Sequence, residues 1–120
     1  MRILVGVDGS DISLDALDRV MRRAQETGDH VAVAVYPTEK RSLAAVEAEV
    51  RDRLETLDAD PSVEQIETEP GSKLVEIGER DDHDRIVLAG GTRSPLGKIQ
   101  IDDVVEFVIL NAQISVTLVR

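Results

Sequence analysis

The sequence predicts an α/β fold, an open parallel sheet of five strands with helices on both faces, and three observations carry that reading. Short apolar runs of the kind that form strands buried on both sides recur at Ile3 to Val7, Val31 to Val35 and Ile86 to Ala89. Between them lie stretches whose apolar residues fall every three or four positions, the period of a helix with one buried face. The two patterns alternate along the chain, which implies right-handed crossovers between parallel strands and a ligand site outside the strands' carboxyl ends.

Each element has its own signal. The first strand ends at Asp8, where Asp8-Gly9-Ser10 makes a turn. Leu14, Leu17, Val20, Met21 and Ala24 then mark a helix from Asp11 to Thr27, with Ser10 or Asp11 as its cap and Gly28 past its end. Asp15/Arg19 and Asp18/Arg22 stand four apart with the acid first, the favourable order on a solvated face. His30 to Tyr36 is the second strand, stopped by Pro37. Leu43, Val46, Val50, Leu54 and Leu57 give a second helix over Ser42 to Leu57, with Glu47/Arg51 and Glu49/Arg53 outside. Val63 to Thr68 reads as a polar edge strand. Pro70-Gly71-Ser72 reads as a turn and cap before a short helix that ends near Asp82. Ile86 to Ala89 is the next buried strand, followed by the one Gly-rich loop, Gly90 to Lys98. Val104, Val105, Val108, Ile109 and Ala112 mark a last helix, and Ile114 to Val119 a last strand.

At 120 residues the chain fits one domain, residues 1–120. Only Tyr36 and Phe107 are aromatic, so the core is built from Val, Ile, Leu and Ala. With 24 acidic and 14 basic residues the net charge is -10, and without a basic run this argues against nucleic acid as a partner. Arginines outnumber lysines 11 to 3 and aspartates are abundant, a balance that fits a salt-rich cytoplasm. With no cysteine there is no disulfide, thiolate metal site or thiol nucleophile. The opening apolar run is too short for a signal peptide and nothing approaches the ~20 residues of a membrane span, so a cytoplasmic location without membrane partners is expected. His30 and His83 have no second ligand at helical spacing, so both are expected on the surface and no metal site is assigned.

Several familiar chemistries fail on spacing. Gly91 and Gly97-Lys98 resemble a phosphate loop, but five residues separate the glycines instead of four, and Ile99 stands where the magnesium-binding hydroxyl belongs. Gly6-Val7-Asp8-Gly9 lacks the three-glycine dinucleotide pattern. Asp8 stands where a receiver domain carries its phosphoacceptor, yet the neighbouring acid, the aspartate closing the third strand and the lysine closing the fifth are missing. Asp8 therefore reads either as a ligand acceptor at a strand end or as the acceptor of its own turn.

Taken together, Val5-Gly6-Val7-Asp8-Gly9-Ser10, the run from Ile86 through Ala89-Gly90-Gly91-Thr92-Arg93 to Gly97-Lys98, Val105-Glu106, Ile109 to Ala112 and the closing Val-Thr-Leu-Val strand resemble the universal stress protein family over essentially the whole chain. The resemblance implies an adenine nucleotide alpha hydrolase-like sheet of order 3-2-1-4-5, with two helices on each face. It also implies a homodimer through Ile114 to Val119, which suits a β-branched edge strand.

Nucleotide-binding members of that family carry a Gly, two residues, a second Gly, nine residues, and a Gly followed by Ser or Thr. The spacing survives here, but the early glycines fall on Ala89 and Thr92 and the Gly-Ser pair on Asp102 and Asp103. The resemblance thus places a degenerate nucleotide site at Asp8, Val35, Ala89, Gly90, Thr92, Arg93, Asp102 and Asp103, with no catalytic residue. Two carboxylates at a helix start take up the amides that would meet phosphate, and Asp103 with Glu106 resembles a capping box. The expected function is a non-catalytic stress-response or signalling dimer that does not bind ATP in the family manner and acts through an unidentified protein partner. The alternative is an adenine-nucleotide switch reading AMP or ATP through Asp8 and the backbone at Val35, its altered loop bridged to phosphate by a divalent cation. A weak ATPase ranks third, since no residue is placed to position water on a phosphate.

Overall fold

The computed structural model describes residues 1–90, 92–93 and 99–120, with Thr92, Arg93, Ile99 and Gln100 described by their backbone alone. In chain order the elements are β1 (Arg2–Val7), α1 (Asp11–Thr27), β2 (His30–Val35), α2 (Leu43–Thr56), β3 (Ser62–Gln65), α3 (Pro70–Arg80), β4 (Arg85–Ala89), β5 (Thr92–Arg93), β6 (Ile99–Gln100), α4 (Asp103–Asn111) and β7 (Ser115–Val119). The main sheet runs β3-β2-β1-β4-β7, parallel throughout, which is the expected 3-2-1-4-5 order with β7 as its fifth strand. β5 and β6 form a separate two-residue antiparallel ladder that the sequence pattern does not show.

Alternation along the strands sends side chains to two cores. Ile3, Val5 and Val7 of β1, Val31, Val33 and Val35 of β2, and Val87 of β4 face the side covered by α1 and α2. Leu4, Ala34, Ile86 and Leu88 face the side covered by α3 and α4. Burying both faces explains why these strands read as unbroken apolar runs. Gly6 lies on the second side, where a Cβ would come within 2.6 Å of Leu88 and 3.1 Å of Leu74. Its missing side chain is what lets α3 settle against β1.

Helix ends follow local chemistry. The Ser10 hydroxyl accepts the Ser13 amide, and α1 closes on Gly28 in the left-handed region, whose amide donates to the Ala24 carbonyl. Ser42 caps α2 in the same way through the Ala45 amide. α3 begins earlier than expected, with Pro70 as its first residue, because proline suits the first helical position and has no amide to leave unpaired. β3 is shorter than expected and stops at Gln65. The next residue, Ile66, turns its side chain into the core while its amide donates to the Val35 carbonyl at 2.8 Å.

Two surface expectations change. Glu47 pairs with Arg51 as the spacing suggests, at 3.6 Å. Asp15 and Asp18 instead converge on Arg53 of α2, at 3.7 and 2.7 Å, so the acids of α1 tie two helices together. His83 is not on the surface: it is 4% exposed, in the link from α3 to β4, and neither ring nitrogen has a hydrogen-bond partner among the described residues. The link is short and its amide is drawn to the Gly78 carbonyl at 3.0 Å, which turns the ring inward despite the acidic neighbours. Among the described residues no helix is long and apolar enough to cross a membrane.

A buried imidazole without partners forgoes the solvation of a donor and an acceptor, a cost of about 1–3 kcal/mol. His83→Leu, similar in volume and without polar atoms, is expected to raise unfolding stability by about 1 kcal/mol in urea titration. A loss of stability would show that the ring makes a polar interaction in solution.

Candidate functional site

The switch point lies between β1 and β4, whose carboxyl ends carry Asp8 and Gly90. At the first of these the chain makes a tight turn. Asp8 Oδ1 accepts the Ser10 amide at 2.9 Å, and Gly9 has φ +85. A Cβ on Gly9 would fall 2.9 Å from both Arg41 Cδ and Val46 Cγ2, so the position needs glycine for its conformation and for its neighbours. One oxygen of Asp8 therefore serves its own turn, the local role the sequence allowed it.

Beside Asp8 is an open cleft of about 490 Å³ lined by Asp8, Ser10, Asp11, Thr38, Glu39, Lys40 and Arg41. Its far wall is the loop after β2, held by the Thr38 hydroxyl, which accepts the Lys40 and Arg41 amides at 3.2 Å each. The sequence reading overlooked this wall. Its signal was the basic pair Lys40-Arg41, three residues past the proline that stops a strand at the ligand end of the sheet.

Val35, the other expected contact on this side, is fully buried, and its carbonyl already accepts the Ile66 amide. The residue after it matters more. Tyr36 is 5% exposed, and its phenol is held far above the ordinary range, first by burial and then by the charges of Asp8 and Asp102. Both carboxylates act on one hydroxyl, so the structure brings Asp8 and Asp102 to the same region from opposite ends of the sequence.

Asp102 is the cap of α4: its Oδ1 accepts the Val105 amide at 2.8 Å, and its carbonyl accepts the Glu106 amide at 3.0 Å. The expected capping box of Asp103 and Glu106 is thus off by one residue. With Asp102 at the cap, the third helical position is Val105, which packs in the core, and no reciprocal carboxylate is available there. Asp103 is the first helical residue and lines a different cleft, with Glu69, Pro70, Gly71, Ser72 and Phe107. The two aspartates face different surroundings, and among the described residues no group of three or more His, Asp or Glu could hold a metal ion.

On the β4 side, Ala89 ends the strand opposite Val119, and Gly90 follows with its amide donating to the Val119 carbonyl at 3.0 Å. A Cβ on Gly90 would lie 2.8 Å from Leu118 Cβ, so this glycine serves close packing against β7. The backbone of Thr92 and Arg93 pairs with β6. Their side chains, and Gly91, Gly97 and Lys98 of the Gly-rich loop, lie outside the described residues.

The profile of the Universal stress protein family matches residues 1–120. Among solved structures, a universal stress protein from Archaeoglobus fulgidus is 23% identical with a TM-score of 0.77, covering 100% of this chain and 98% of that one. A universal stress protein in complex with cAMP is 26% identical with a TM-score of 0.74, covering 100% and 96%. The Archaeoglobus fulgidus universal stress protein in complex with dAMP is 22% identical with a TM-score of 0.64, covering 100% and 98%. No curated protein matches the sequence.

Tyr36 is the single tyrosine and there is no tryptophan, so phenolate absorbance reports on it alone. Its folded pKa lies above the unfolded value of ~10, so the stability it contributes is present below that pH and is lost as pH rises beyond it. Absorbance and circular dichroism followed together through alkaline pH should show phenolate appearing only as the fold is lost. Ionisation near pH ~10 with intact secondary structure would contradict this placement of Tyr36.

Proposed function

Because the chain belongs to the universal stress protein family, we propose that it is a non-catalytic stress-response or signalling module of that family, a single cytoplasmic domain that works as a homodimer with an unidentified protein partner and does not hold ATP in the family manner. The observation that carries this reading is the side chain of Asp102 on the Val105 amide at 2.8 Å. A helix start binds phosphate through free amides and the positive end of the helix dipole. Here the cap is a carboxylate, Asp103 adds a second charge in the first turn, and the Gly90 amide is bonded to Val119. A triphosphate approaching this end meets the carboxylates of Asp8 and Asp102, with the Val105 and Gly90 amides already engaged.

The second reading, a site for a less charged adenine nucleotide, is favoured by the cleft beside Asp8, where Lys40 and Arg41 stand among Asp8, Asp11 and Glu39, with Arg41 also paired to Glu49. Relatives described in complex with cAMP and with dAMP support this reading over the triphosphate. A weak ATPase has no such support. For the dimer, the support is the β7 edge together with the exposed Phe107, Ile109 and Leu110 of the adjoining α4.

Calorimetric titration with ATP and with AMP, each with and without magnesium, separates the readings. No heat with ATP at micromolar protein is expected, and micromolar ATP affinity would overturn the leading proposal. AMP binding in the absence of magnesium would favour the second reading. Asp102→Asn keeps a capping oxygen without the charge, so it distinguishes repulsion from occupied amides, whereas Asp102→Ala should cost about 1 kcal/mol of stability. A monomeric mass in sedimentation at micromolar concentration would remove the dimer.

A further inference from the structure

On the α1 face of the sheet, along β4 and β7 as far as Thr117 and Val119, three arginines meet over a small apolar floor. Arg19 and Arg23 come from successive turns of α1 and Arg85 from the first position of β4. They line a cleft of about 210 Å³ with Ile3, Val20 and Val87. Arg85 sits on the α1 side of the sheet, opposite Ile3 in the β1 register. Its Nε is buried and has no hydrogen-bond partner among the described residues.

The charge balance of the cleft is unlike that of the rest of the molecule. The chain carries a net charge of -10, yet the one acid in this lining, Asp29, is engaged by the Met1 amino group at 3.2 Å. Arg41, Arg51, Arg53 and Arg80 each pair with a carboxylate, while Arg19, Arg23 and Arg85 have no ion pair among the described residues. Arg19 reaches only the Arg120 carbonyl, at a long 3.4 Å. A buried guanidinium N–H without an acceptor is costly, and the single carboxylate in this lining, Asp29, pairs with the Met1 amino group and feels the charge of Arg23.

We infer that this cleft binds a small organic anion, with the guanidinium groups of Arg85, Arg23 and Arg19 meeting its carboxylate and Ile3, Val20 and Val87 its apolar body. Guanidinium groups suit carboxylates because they offer donors in a planar fork. At about 210 Å³ the cleft is less than half the size of the one beside Asp8, at about 490 Å³, which suits a short-chain carboxylate better than a nucleotide. The site is separate from the Asp8 end and does not rest on the proposed function.

The Arg85 Nε–H is buried, so its proton exchanges slowly enough to be followed by nitrogen-edited NMR on the intact chain. Butyrate is the probe, with sodium chloride at equal ionic strength, inorganic phosphate and uncharged butyramide as the other arms. The expected result is a saturable shift of the Arg85 Nε–H signal with butyrate, and a weaker, non-saturating response to chloride and butyramide. Arg85→Gln and the surface variant Arg23→Gln should each weaken butyrate binding at least tenfold, read from backbone signals of Val20 and Val87. The second variant keeps the test valid should the first fail to fold. Equal responses to butyrate and chloride, or to butyrate and butyramide, overturn the inference. Saturation by phosphate with no response to butyrate overturns the assignment of an organic anion.

Discussion

The fold is organised by β1, which is hydrogen-bonded to β2 on one side and β4 on the other and is covered by helices on both faces. Gly6 makes this possible on the α3 side, since the leucines of α3 and β4 occupy the space a side chain would take. With β1 central, the chain first winds outward to β3 and then returns to build the other half, so the crossovers leave α1 and α2 on one face and α3 and α4 on the other. α1 follows β1 on one face and α4 follows β4 on the other, and the charges of Asp8 and Asp102 both add to burial in holding the Tyr36 phenol protonated.

The elements were legible wherever burial was complete. The runs in β1, β2 and β4 had to be strands because nearly every residue is covered, and α1 and α2 declared their faces, with Ser10 one of two caps the pattern allowed for α1. Legibility failed where a single residue of phase decides. At Asp102-Asp103 either carboxylate satisfies the cap pattern. What selects Asp102 is that Val105 and Val108 must both reach the core, a tertiary requirement that fixes the helical phase. The α1 acids failed similarly, because a helix-local pattern cannot show that Arg53 of another helix stands nearer than Arg19 or Arg22.

Residues of the candidate site were legible by place more than by role. Asp8 and Gly90 stand at the strand ends as expected, but both serve the local chain, one bonding its own turn and the other packing against Leu118. Val35 ends β2 with its side chain fully buried and its carbonyl bonded to the Ile66 amide. Tyr36 and the Thr38 to Arg41 loop were hidden because their relation to Asp8 depends on how β2 ends, which no periodicity records. His83 was misplaced because a charged neighbourhood in sequence says little about where a ring points once the backbone turns.

The helix starts and helix ends differ in charge for a reason rooted in helix electrostatics. Helix starts attract acids and helix ends attract bases, and here Asp11, Asp103 and Glu106 occupy first turns while Arg53 and Arg80 occupy last turns. In a parallel α/β sheet all helices run against the strands, so this preference collects carboxylates at the strands' carboxyl ends. Those are the same positions at which such a sheet would bind an anion. Helix capping and anion binding therefore compete for one set of amides, and a chain rich in aspartate resolves the competition toward the cap. An anion site in such a protein is then most readily built from side chains that no helix start has claimed, and the arginines of α1 and β4 meet that condition.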